Sequence, residues 1–196
     1  MARKSDSKEK LLATARAMFL ERGYPATSLG DLVAGVGVTK GSFFHHFQSK
    51  EELALEVLLL EFEQTAGVLS TGPFSTASDP MERVLGFIDH TDRHAEALWA
   101  RGSLLGAFAA NLAATSPRIE ALVSKAYRRL VEGIGPLFEP VAERTRGRPD
   151  AAGLAEHFLA VIEGGATLAR VHDDPHHLHQ ALANFRRYVV LLTRNP

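Results

Sequence analysis

The side chains best equipped for chemistry are histidines, and most of them fall into three groups. His45 and His46 sit in the run Phe43-Phe44-His45-His46-Phe47, between Lys40 and Lys50. Adjacent histidines on a helix point about 100° apart and cannot easily share one metal, though each can meet a phosphate. His90 and His94 stand four apart, a spacing with which one helix face can chelate zinc. His172, His176, His177 and His179 crowd the stretch HDDPHHLH, but Asp174 there reads as a helix cap ahead of Pro175. Neither of these two groups is assigned a metal. The chain has no cysteine, which excludes disulfides, thiol catalysis and cysteine–zinc sites. A nucleophile elbow, a phosphate loop and an HExxH motif are all missing, so neither an enzyme nor a cofactor is expected.

The elements that must position these residues are helical throughout. Glycine and proline punctuate the chain, and the alternation expected of strands is missing. A helix is predicted from about Lys8 to Arg22, with Leu11, Ala15, Met18 and Phe19 on one stripe and Gly23 as its stop. Ser28 and Asp31 have capping-box spacing and open a short helix to about Val36. Gly37 breaks it, and a third helix runs from about Lys40 to Phe47. Ser49 and Glu52 form a second capping box, heading a long helix towards Leu69. Ser70 to Ser78 is a loop. Asp79-Pro80, Ser116-Pro117 and Asp174-Pro175 each pair a cap with proline at the first helical position. Thr145 to Pro149 is a loop, and Asp150 caps the helix after it. The expectation is an all-α chain of about nine helices.

The 196 residues, 45% of them hydrophobic, can bury a sizeable core. The polar start MARKSDSKEK is no signal peptide, and no apolar run approaches the roughly 18–20 residues needed to span a bilayer. A cytoplasmic protein with no membrane partner is expected. Residues 1–50 hold eight Lys/Arg against four Asp/Glu, and the other 146 residues hold fourteen against nineteen. A head at +4 on a body at −5 suggests a module that binds a polyanion. Lys4, Lys8 and Lys10 suit either an arm near a phosphate or a solvated end.

Helix, glycine turn and helix over about Asp31 to Phe47 is the helix-turn-helix pattern. Its second helix would enter the major groove with Thr39, Lys40, Gly41 and Ser42 nearest the base edges. Lys40 can reach guanine or phosphate, Ser42 base or backbone, and Gly41 permits close approach. Phe43 and Phe47, four apart, read as core.

Gly23-Tyr24-Pro25-Ala26-Thr27-Ser28, then Gly37 through Phe47, then Ser49-Lys50-Glu51-Glu52-Leu53 resemble the N-terminal domain of the TetR (tetracycline-repressor-like) family of transcriptional regulators. The resemblance covers about residues 8–55. It implies a three-helix DNA-binding domain, residues 1–50, and a helical ligand-binding and dimerisation domain, residues 51–196. It implies a phosphate contact for Thr27, base reading by Thr39, Lys40, Gly41 and Ser42, and backbone contacts by His46 and Lys50, with His45 facing DNA. Phe44 stands where the family usually has a tyrosine that bonds phosphate, so it is left with packing or sugar contact. Val36 stands where a small alanine is usual.

The resemblance also implies a homodimer through the last two helices, and their composition agrees. Phe158, Leu159, Val161, Ile162 and Leu168, then Leu178, Leu182, Phe185, Val189 and Leu192, are apolar over wide arcs. Gly164 and Gly165 would allow close helix approach. Arg101 to Val123 resembles a family segment in which some relatives carry a cysteine that senses electrophiles; Ser103 stands there instead. Trp99, Ser103, Phe108, Asn111, Tyr127 and Phe138 are the candidate walls and polar anchors of a mostly apolar effector pocket. The implied function is ligand-responsive regulation: a repressor on a palindromic double-stranded DNA operator, released by a small, mostly apolar effector. The alternatives are a metal-responsive regulator using a histidine cluster, or an activator of the same fold.

Overall fold

The computed structural model describes residues 2–146 and 149–194, with side chains described from residue 7. Lys4 and part of the loop expected at Thr145 to Pro149 thus lie outside the described side chains. Among the described residues there are ten α-helical segments: α1 (Ala2–Arg22), α2 (Leu29–Val36), α3 (Lys40–His46), α4 (Lys50–Ser70), α5 (Pro80–Trp99), α6 (Leu104–Ala109), α7 (Pro117–Ile134), α8 (Glu139–Arg144), α9 (Ala151–His172) and α10 (His176–Arg194). Short 3-10 turns occupy Pro73–Thr76, Leu112–Ala114 and Gly135–Phe138. The first of these lies within the stretch expected to be plain loop.

Local chemistry sets the boundaries. Ser28 accepts from the Asp31 backbone N–H, and the Asp31 carboxylate accepts from the Ser28 N–H at 2.8 Å, a complete capping box. Gly37 ends α2 in the left-handed region, φ 73°, where a side chain would be strained. Asp79 and Asp150 cap α5 and α9 as their positions predict. The second capping box is only half formed. Ser49 Oγ accepts from the Glu52 N–H, but the Glu52 carboxylate accepts from the N–H of Gln48, one residue further back.

By packing, the chain forms two compact units, Met1–Glu63 with Leu104–Ala126, and Gln64–Ser103 with Tyr127–Pro196. The single boundary at residues 50 and 51 expected from the sequence divides roles; these units divide contacts, and both interleave along the chain. In the first unit Leu11, Ala15, Phe19, Leu32, Phe43, Phe47, Leu53 and Leu58 are buried. Burial of each large side chain is worth about 1.5–3 kcal/mol, and α3 packs against α2 in this core. The second unit centres on Phe87, Phe138, Phe158 and Phe185, whose rings meet at 5.0–6.0 Å. There α9 packs closely on α10. A Cβ on Gly165 would fall 2.9 Å from Leu178 Cδ1 and 3.1 Å from Leu178 Cα.

Candidate nucleic-acid interface

The aromatic–histidine run divides by helix face. Phe43 and Phe47 are buried, their rings 5.7 Å apart. Phe44, on the outward face, is 54% exposed and rests edge-on against Phe43 at 5.4 Å. Lys40, Gly41 and His45 are exposed beside it. Among the described residues, Lys40 has no hydrogen-bond or ion-pair partner, so its ammonium is available to an external anion. Thr39 caps α3: its Oγ1 accepts from the Ser42 N–H at 3.1 Å. Its own hydroxyl proton remains to be donated outward. The start of α3 therefore offers exposed donors, a bare glycine backbone and one exposed aromatic ring.

Other predicted contacts are placed differently. Thr27, expected to touch phosphate, is fully buried. Its hydroxyl donates inward to the Gly23 carbonyl at 2.9 Å, so here it holds the turn after α1. Lys50 Nζ donates to the carbonyls of Tyr24 at 2.9 Å and Thr27 at 2.8 Å, and lies over the Tyr24 ring. Burial holds its pKa below the usual lysine value. One of its three N–H donors is left for a phosphate. His46 Nε2 lies 2.7 Å from Ser7 Oγ, a tie to α1 that the sequence did not suggest. Lys8 pairs with Glu56 at 2.6 Å. Nor did the sequence single out Glu61, whose buried carboxylate takes two hydrogen bonds from Arg16, at 2.7 and 3.2 Å. The signal was a single acid inside the apolar run Leu58-Leu59-Leu60-Glu61-Phe62.

Residues 11–57 match the family model of bacterial regulatory proteins, tetR family, and residues 80–184 match that of the transcriptional regulator LmrA/YxaF-like, C-terminal domain. The chain belongs to the TetR family of transcriptional regulators. It is 28% identical to the uncharacterised HTH-type transcriptional regulator YxaF of Bacillus subtilis, over 89% of this chain and 90% of that one. It is 25% identical to the HTH-type transcriptional repressor DhaR of a Mycobacterium species, over 89% of this chain and 88% of that one. A crystal structure of a TetR regulator from Chloroflexus aurantiacus superposes with TM-score 0.78 at 26% identity, covering 97% of both chains. The helix-turn-helix is thus the DNA-binding head of a transcription regulator, not part of an enzyme, and the all-helical body carries an LmrA/YxaF-like domain.

In this TetR-family chain the six candidate effector residues are divided between the two units. Phe108 belongs to the first unit, where its ring packs on Phe19 at 5.7 Å and Tyr24 at 5.3 Å. Asn111 is exposed, and its amide donates back to the Ala107 carbonyl. Trp99 and Phe138 are buried core residues of the second unit. Ser103 and Tyr127 do converge, and the residue they meet is Glu163. Both hydroxyls donate to Glu163 Oε1, at 2.9 and 2.7 Å. Burial, then the Glu163 charge, pushes the Tyr127 pKa far above its ordinary value, so the phenol stays protonated. The sequence does not single out Glu163, although it too is an acid that interrupts an apolar run, Phe158-Leu159-Ala160-Val161-Ile162.

Several of the remaining histidines make protein contacts. The rings of His90 and His94 lie 4.4 Å apart, and His94 Nδ1 donates to the His90 carbonyl at 2.9 Å. Burial, then the neighbouring His94 and Arg93, holds the His90 pKa below its ordinary value, favouring the neutral ring. His172 and His177 stack at 4.5 Å, and His179 Nδ1 lies 2.7 Å from Asp92 Oδ1. Among the described residues no three His, Asp or Glu side chains are grouped to hold a metal ion. Nor is any helix of these residues long and apolar enough to cross a membrane.

Proposed function

We propose that this protein is a repressor that binds a palindromic operator as a homodimer and lets go when a small, mostly apolar molecule binds its body. The observation that carries the reading is the outward face of α3, where Thr39, Lys40, Gly41, Phe44 and His45 are exposed together. Lys40 and His45 supply cationic or hydrogen-bonding contacts. Phe44, with no hydroxyl, supplies an apolar one to sugar or a thymine methyl. Thr27 and Lys50 act mainly behind this face, holding the turn that presents it.

The dimer is supported by α9 and α10. Leu168, Val171 and Leu191 are large apolar side chains left 47%, 70% and 57% exposed. Among the described residues nothing lies within 4 Å of where a Cβ on Gly164 would stand, which leaves room for a second helix. Two heads related by a two-fold axis would read half-sites about 34 Å apart. Repression is supported by the relative DhaR, which bears that role in its name. Release requires an effector that prefers the conformation unable to bind DNA.

DNase footprinting on the region upstream of its own gene tests this reading. Protection of two symmetric half-sites is expected, weakened about tenfold or more by Lys40→Ala. Phe44→Tyr is expected to tighten binding by restoring a phosphate hydrogen bond. Absence of any protected palindrome at low salt would sink the proposal.

A further inference from the structure

We propose that a cleft in the second unit, distinct from the Ser103–Tyr127–Glu163 cluster, binds a small organic carboxylate with an apolar body. The cleft has a volume of about 320 Å³ and is lined by the end of α4, the start of α5 and the corner from α7 to α8. That lies at the small end of the roughly 300–1,000 Å³ typical of ligand sites, room for a single ring or a short acyl chain.

Its walls are apolar and poor in donors. Leu69 and Leu137 supply hydrocarbon, and Pro80, Pro136 and Pro140 are prolines, with no backbone N–H to offer. The one cation in the lining is Arg83. Arg83 is half-buried as a residue, and among the described residues its guanidinium has no hydrogen-bond or ion-pair partner. Asp79 stands four residues earlier, at the cap of the same helix. That carboxylate is used to cap α5, accepting from the Met81 and Glu82 N–H groups at 2.6 and 3.4 Å.

A guanidinium without an acid partner, on a half-buried residue, matches the planar, bidentate geometry of a carboxylate. A single cation among apolar walls calls for one negative charge on a largely hydrocarbon molecule, which disfavours inorganic phosphate. Ser70, at the end of α4, also lines the cleft, but its hydroxyl already donates to the Gly67 carbonyl at 3.4 Å. Gly133 leaves the cleft open on the α7 side, since nothing lies within 4 Å of where its Cβ would be. The same openness makes Gly133 a place where the cleft can be filled without disturbing the fold, and a non-glycine residue there suits a helix better.

The test uses the full chain without DNA, so it stands apart from the repressor reading. Thermal unfolding and titration calorimetry are run with benzoate, with benzamide as its neutral counterpart and with inorganic phosphate. Benzoate is expected to bind saturably and raise Tm, with benzamide and phosphate at least about tenfold weaker. Arg83→Met is expected to lose about tenfold or more in benzoate affinity, and Gly133→Phe to abolish binding while remaining folded. Equal binding of benzamide or phosphate overturns the proposal, as does benzoate binding retained by Arg83→Met or Gly133→Phe. No saturable benzoate binding to the unsubstituted chain overturns it as well.

Discussion

The helix starts of this protein and the middle of α9 both depend on polar side chains, but they recruit partners over very different distances along the chain. Ser28, Thr39, Asp79 and Asp150 all find theirs within three residues. Glu163 finds Ser103 sixty residues away and Tyr127 thirty-six residues away. The first arrangement satisfies single N–H groups one at a time. The second gathers two hydroxyls from separate elements onto one carboxylate oxygen, so its members depend on one another. Local chemistry sets where helices begin, whereas convergence at Glu163 needs the fold to be complete.

The largest effect should come from breaking that convergence. Glu163→Ala removes the acceptor that two half-buried hydroxyls share and is expected to cost about 2 kcal/mol in denaturant unfolding. Tyr127→Phe combined with Glu163→Gln should be non-additive by roughly 0.5 kcal/mol or more. The pair also has a signature in alkali. Because the Tyr127 pKa is raised on folding, its contribution to stability is full below the ordinary tyrosine value of 10.0 and is lost as pH climbs above it. Glu163→Gln removes one cause of the raised value, so an ultraviolet titration should show Tyr127 ionising at lower pH. If the cycle is additive and the titration does not move, Glu163 is no more cooperative than a cap.

Lys50→Met tests an intermediate case, because Lys50 reaches the carbonyls of Tyr24 and Thr27 from twenty-six and twenty-three residues away. Loss of about 1–2 kcal/mol is expected, together with weaker operator binding as the turn before α2 loosens. A variant of unchanged stability would show that those carbonyls are equally well served by water. The smallest effect belongs to a single cap. Ser28→Ala should cost about 1 kcal/mol and add to Asp150→Ala within about 0.5 kcal/mol. Strong coupling between two such remote caps would erase the difference between helix starts and the Glu163 cluster.

The same difference explains which features are legible in the sequence. The α2 capping box, the left-handed Gly37, the caps at Asp79 and Asp150 and the inward Phe43 and Phe47 are legible, because spacing of three or four residues determines each. Glu61 with Arg16, Glu163 with Ser103 and Tyr127, and His46 with Ser7 are not, because no local pattern announces a partner 36 to 60 residues distant. Thr27 misleads for a related reason. Its position matches a phosphate contact, but its hydroxyl is already taken by the Gly23 carbonyl. Phe108 and Asn111 are grouped with Tyr127 by composition, whereas by packing they belong to the other unit.

Gly164 and Gly165 are neighbours, but their positions on α9 expose them to different evolutionary pressures. A side chain at Gly165 would press on the Leu178 backbone, so mutation there is filtered by whether a chain folds at all. A Cβ at Gly164 would meet nothing within 4 Å among the described residues. Mutation there escapes that filter and acts on which copies associate in the proposed dimer. After a gene duplication, one bulky residue at position 164 in one copy could insulate the two regulators from mixed pairing, leaving each head free to drift towards its own operator.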